Sequence, residues 1–109
     1  MNVIERIYRR YEILLPLKFN DGSAVPEVLI AETVGDLKRH FGALSLETQR
    51  IEGLWPRHGE PHPDDLVRVF LDVPDTPENR QYFVEFKERL KERFQQDDIW
   101  VTTHKLEIL

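Results

Sequence analysis

Residues 76–96 read TPENRQYFVEFKERLKERFQQ, and the rest of the chain falls into place around them. Thr76 is suited to cap a helix, because its hydroxyl accepts a bond from a free amide of the first turn. Pro77 stands at the first helical position, where its fixed φ helps and its missing N–H costs nothing. Glu78 places a negative charge at the positive end of the helix dipole. Phe83, Phe86, Leu90 and Phe94 recur at spacings of three and four, with Tyr82 beside them, so one stripe is apolar. Glu85, Lys87, Glu88, Arg89, Lys91, Glu92 and Arg93 fill the remainder and read as a solvated face.

The segments on either side read as strands and one further helix. Residues 11–19 alternate, with Tyr11, Ile13, Leu15, Leu17 and Phe19 on one side, as in a strand with one buried face. Pro16 cannot donate a ladder bond and needs a bulge or an unpaired amide position. Asn20, Asp21, Gly22 and Ser23 make a turn. Residues 26–41 form a helix carrying Ile30, Val34, Leu37 and Phe41, stopped by Gly42. Residues 44–55 form a second strand whose apolar parity switches near Gln49 and Arg50, the mark of a bulge. Residues 56–65, with Pro56, Gly59, Pro61 and Pro63, read as a loop. Residues 66–73 form a third strand with Val67, Val69, Leu71 and Val73 inward, and residues 99–109 form the last. Ahead of the first strand, Val3, Ile4, Ile7, Tyr8 and Tyr11 fit a short lead-in helix or an extended arm over residues 1–10.

The order is strand, helix, strand, strand, helix, strand. A hairpin between the middle strands and right-handed crossovers on either side give an α+β, ferredoxin-like βαββαβ sandwich. Its four-stranded antiparallel sheet carries both helices on one face. At 109 residues the chain is the size of a single domain with one core. The opposite face would carry Leu14, Leu66, Arg68, Phe70 and Asp72. The last strand adds either Trp100, Thr102 and His104 or Ile99 and Val101. That mixture is more apolar than a solvated sheet face and points to a partner, first of all a second copy, with Leu14, Phe70 and Trp100 at the interface.

Composition excludes several classes. A net charge of −5 sets the surface against phosphate backbones, and Arg6, Arg9 and Arg10 are too few to make a nucleic-acid arm. Phe70 alone occupies a position where RNA-recognition domains of this shape stack bases, and the glycine–aromatic signature is missing. No cysteine is present, so disulfides, thiol catalysis and thiolate metal sites are out. No apolar run reaches membrane-spanning length and the charged N-terminus is not a signal peptide, so the expectation is a cytoplasmic protein. There is no phosphate-cradling glycine loop and no nucleophile elbow.

The stretch PLKFNDGS, the Gly53 to Trp55 segment, VRVFLDVPDTPENRQYF and the closing KERFQQDDIWVTTHKLEIL resemble a family of small uncharacterised bacterial proteins with a ferredoxin-like fold. The resemblance runs from Tyr11 onward and is most specific at DTPEN. It implies a bacterial source and the same fold. It carries no activity, cofactor or catalytic residue to transfer.

Two polar constellations remain. His58, Glu60, His62 and Asp64 offer two imidazoles and two carboxylates to a divalent metal, although an exposed hairpin loop explains them as well. His104 and Trp100 share parity on the last strand and, with Tyr11 or Asp72, suggest a general base in a pocket at a dimer seam, as in small dimeric enzymes of the α/β-barrel type. A structural histidine beside a tryptophan is the plainer reading. Asp21 invites a metal-binding role, but Asn-Asp-Gly-Ser is already an adequate turn. The sequence thus describes a cytoplasmic homodimeric interaction or small-ligand-binding module needing no cofactor, against the alternative of a small dimeric enzyme built around His104.

Overall fold

The computed structural model describes residues 7–42, 45–57 and 60–109, with the backbone alone for 45–57 and 60–64. The elements are β1 (Tyr8–Pro16), α1 (Glu27–Phe41), β2 (Ser45–Arg57), β3 (Glu60–Pro74), α2 (Pro77–Arg93) and β4 (Val101–Leu106). The strands form an antiparallel sheet in the order β2-β3-β1-β4. This α+β connectivity fits a ferredoxin-like arrangement.

α2 starts as its sequence dictates. Thr76 is extended, its hydroxyl accepts the Asn79 N–H at 3.1 Å, and Pro77 opens the helix. Phe83, Phe86, Leu90 and Phe94 are all buried. The helix ends where Gln95 takes a left-handed φ of 54° and the Gln96 N–H returns to the Lys91 carbonyl at 2.9 Å. α1 has no side-chain cap at Pro26 and ends at Gly42, whose φ of 85° lets its N–H reach the Lys38 carbonyl.

One core gathers Tyr11, Ile13 and Leu15 of β1, Val69, Leu71 and Val73 of β3, Leu37 of α1, Phe83, Phe86 and Leu90 of α2 and Phe94 at its C-cap. Tyr11 stacks on Phe83 at 4.0 Å, and Phe83 in turn stacks on Phe41 of α1 at 5.3 Å. Both helices therefore share one face of the sheet. A second tie between them is polar. The Arg93 guanidinium donates to the Thr33 hydroxyl at 3.0 Å and to Asp36 at 2.8 Å, so Thr33, fully buried and absent from the apolar pattern of α1, has its oxygen satisfied.

Two expectations are corrected here. β1 begins at Tyr8, so residues 8–10 are extended rather than helical: they pair with β3 on one side and β4 on the other, and this double pairing overrides a helical spacing. Residues 1–6 lie outside the described residues. The stretch 56–65 is not an open loop, because Trp55 pairs with His62, Pro56 with Pro61 and Arg57 with Glu60 in a long two-stranded ribbon. β1 pairs with β3 as far as Leu66 and the Leu17 N–H reaches the Asp65 carbonyl at 2.9 Å, while residues 60–64 are paired in register with β2, itself an edge strand of the sheet. Proline is tolerated on such an edge. The expected bulge in β2 appears as a register shift between Glu47 and Ile51.

Candidate functional site

Strand alternation divides the sheet into two faces. Tyr11, Ile13 and Leu15 point at the helices, so Arg10, Glu12 and Leu14 lie on the opposite, open face. Register then aligns their neighbours. Arg10 stands between Asp72 and His104, Glu12 between Phe70 and Thr102, and Leu14 opposite Arg68. The choice left open for the last strand is decided: Val101 pairs with inward Ile13, which puts Thr102 and His104 on the open face.

Charges and an aromatic ring interlock on that face. Arg10 makes a bidentate pair with Asp72, at 2.7 Å from Nε and 3.0 Å from Nη2. This hydrogen bond holds the Arg10 guanidinium above its ordinary pKa. Arg68 donates to Glu12. The guanidinium of Arg10 lies 4.6 Å from the centre of the Phe70 ring, and that of Arg68 lies 4.9 Å from it. The face is therefore less greasy than its sequence suggested. Phe70 and Leu14 are half-buried, and two arginines lie over the ring. Trp100, whose carbonyl accepts the Leu14 N–H at 3.0 Å, is 50 % exposed. Leu14, Phe70 and Trp100 thus share one face.

The proposed histidine constellation is not assembled as drawn. His104 is exposed and next to Arg10, whereas Tyr11 faces the helices through the same strand. Asp72 is already engaged by Arg10. Of the metal candidates, His58 lies outside the described residues. Glu60, His62 and Asp64 belong to the β3 part of the ribbon, where only the backbone is described. Among the described residues no group of three or more histidine or acidic side chains stands together as a metal site.

Pattern reading missed a concavity. Between α2 and β4 lies a half-open groove of about 150 Å³. Tyr11, Phe83, Val84 and Val101 make its apolar walls, and Arg80 and Lys87 flank it. Tyr11 is 3 % exposed, and its hydroxyl is the one buried side-chain polar atom without a hydrogen-bond partner among the described residues. The only hint in the sequence was the i, i+3, i+4, i+7 set Arg80, Phe83, Val84 and Lys87 on one side of α2.

No protein-family model matches the chain, and no curated protein sequence does. Solved structures do. A phage SAM lyase in complex with S-methyl-5'-thioadenosine is similar at a TM-score of 0.66 with 17 % identity, over 93 % of this chain and 90 % of that one. CutA1 from Oryza sativa is similar at 0.67 with 10 % identity, over 97 % and 85 %. The phage SAM lyase in its apo state is similar at 0.63 with 16 % identity, over 99 % and 95 %. At these identities the likeness is one of fold: small α+β domains of nearly the same extent, compatible with a ferredoxin-like architecture. No described helix is long and apolar enough to cross a membrane.

Proposed function

We propose that this chain is an interaction module that pairs with a second copy through its open sheet face, with Leu14, Phe70 and Trp100 at the contact. The observation that carries this reading is the make-up of the Arg10, Glu12, Arg68 and Asp72 lattice around Phe70. Two cations and two anions alternate on one surface. Such a surface meets its own copy without net repulsion, which a two-fold contact requires. Their pairing fixes the arginine side chains beforehand and lowers the entropy lost on association. Trp100 at the margin supplies the kind of exposed aromatic that anchors interfaces. A small ligand at the seam would be secondary to the pairing itself.

Size-exclusion chromatography with light scattering tests this. The wild-type chain is expected at twice its mass of 13.0 kDa. Phe70→Glu and Trp100→Glu are each expected to return it to a single copy with an unchanged circular dichroism spectrum. A wild-type protein that stays single at high micromolar concentration, or a dimer indifferent to both changes, overturns the reading.

A further inference from the structure

We infer that the free edge of β4, together with the groove beside α2, binds an extended acidic peptide as an added strand. Among the described residues β4 is the last strand on its side of the sheet. The Leu14 N–H donates to the Trp100 carbonyl, so the pairs in register with it, Glu12 with Thr102 and Arg10 with His104, carry the hydrogen bonds to β1. Alternation then turns the N–H and C=O groups of Val101, Thr103 and Lys105 outward, to the side on which β4 pairs with no other strand among the described residues. This is a template for strand addition.

The same register decides where a guest's side chains go. Val101 and Thr103 face the helix side, so guest residues opposite them face it too, over the groove. The groove is close to the 150 Å³ that takes up benzene in an engineered protein cavity, room for one apolar side chain. Arg80 and Lys87 flank it seven residues apart on α2, roughly 10 Å along the helix axis. Guest residues four apart on an extended strand are separated by roughly 13 Å. The matching guest is therefore acid-x-apolar-x-acid, with the central side chain in the groove and the carboxylates reaching the two cations. Arg80 is exposed. Lys87 is held by Asp98 at 3.0 Å, an ion pair that the guest's carboxylate would join or displace. The buried Tyr11 hydroxyl marks this wall as the place where the described core leaves a polar atom unanswered. Charge also argues against a second copy here. Two β4 edges paired about a two-fold axis would bring the Arg80 and Lys87 sets toward one another, whereas an acidic strand neutralises them.

The test is an NMR titration of the full chain with a blocked peptide of the pattern Asp-Thr-Leu-Thr-Asp and with its counterpart carrying Lys for Asp. In the free protein the amides of Thr102 and His104 are expected to exchange slowly, and those of Val101, Thr103 and Lys105 quickly. The acidic peptide is expected to bind and to slow the second set. Arg80→Glu and Val84→Glu, both at exposed positions, are expected to weaken binding roughly tenfold or more, about 1.4 kcal/mol, with the fold intact. The inference is overturned if neither peptide binds, if the basic one binds as well, if protection appears away from β4, or if both variants bind like the wild type. None of these outcomes depends on whether the open sheet face forms a dimer.

Discussion

The two faces of the β1–β3 pair are built from alternate residues of the same strands, yet they are stabilised by different physics. On the inner face Tyr11, Ile13, Leu15, Val69, Leu71 and Val73 are at most 3 % exposed, covered by helices whose aromatic side chains stack on one another. On the outer face Arg10, Glu12, Arg68 and Asp72 keep between 23 % and 36 % of their side-chain surface and are held by charge. Burial of apolar area is stabilising whatever the salt concentration, whereas half-exposed ion pairs contribute little and are screened. The inner face therefore supplies stability. The outer face supplies a defined pattern of charge, which is what recognition needs.

The largest break in this contrast should come from the inner face. Phe86 is fully buried, and Phe86→Ala is expected to cost about 3–5 kcal/mol in urea denaturation. Next comes the polar tie between the helices. Burial pushes the Asp36 carboxyl up, but hydrogen bonds and charge from Arg93, and then from Arg39, outweigh it and hold its pKa below the ordinary 3.8. A carboxylate with a lowered folded-state pKa stabilises fully above its unfolded value, and that contribution fades as pH falls through the folded one. Asp36→Asn is thus expected to cost about 1–3 kcal/mol near neutrality. Its deficit should shrink below about pH 4. A deficit that stays constant down to pH 2 would refute the assignment. Thr76→Ala, which removes the cap from α2, is expected to cost about 1 kcal/mol by the same denaturation. The smallest effect belongs to the outer face. A double-mutant cycle on Arg10 and Asp72, run in dilute protein, should give a coupling below about 1 kcal/mol that falls as salt is added. A larger, salt-insensitive coupling would erase the distinction between the faces.

What was legible in the sequence follows the same division. α2 could be read because its signals are local: Thr76, Pro77 and the spacing of Phe83, Phe86, Leu90 and Phe94 act within the helix itself. The β2 irregularity was visible because a bulge must reverse side-chain parity, and parity is written in the residues near Gln49 and Arg50. The start of β1 was hidden, because Tyr8, Arg9 and Arg10 become strand only by pairing with two distant segments. The ribbon was hidden for a related reason: the prolines and glycine of residues 56–65 signal a turn wherever they occur, and only the register of Pro56 with Pro61 shows that they sit along an edge. Of the open face, Leu14, Arg68, Phe70 and Asp72 were read from alternation, but Arg10 and Glu12 and the chemistry that joins them to it were not. That Arg10 lies against both Asp72 and Phe70 depends on a register that no single strand contains. The groove beside β4 depends on how a helix settles against a sheet, and one amphipathic pattern does not specify that.

The link from Arg93 to Thr33 and Asp36 has a dynamic consequence. Of the α1 residues only Thr33 and Leu37 are buried, with Leu29, Ile30, Val34 and Phe41 packed partly buried against the core, so this helix stays closed through its contacts with α2 and the sheet rather than by itself. Anchored through Arg93 to the far end of a helix with Phe86 and Leu90 in the centre of the core, it shares that helix's opening event. The interior amides of α1 should accordingly exchange with solvent at the pace of α2, a protection borrowed across the gap between the helices, and lengthening the intervening segment should leave that pace unchanged so long as the guanidinium remains.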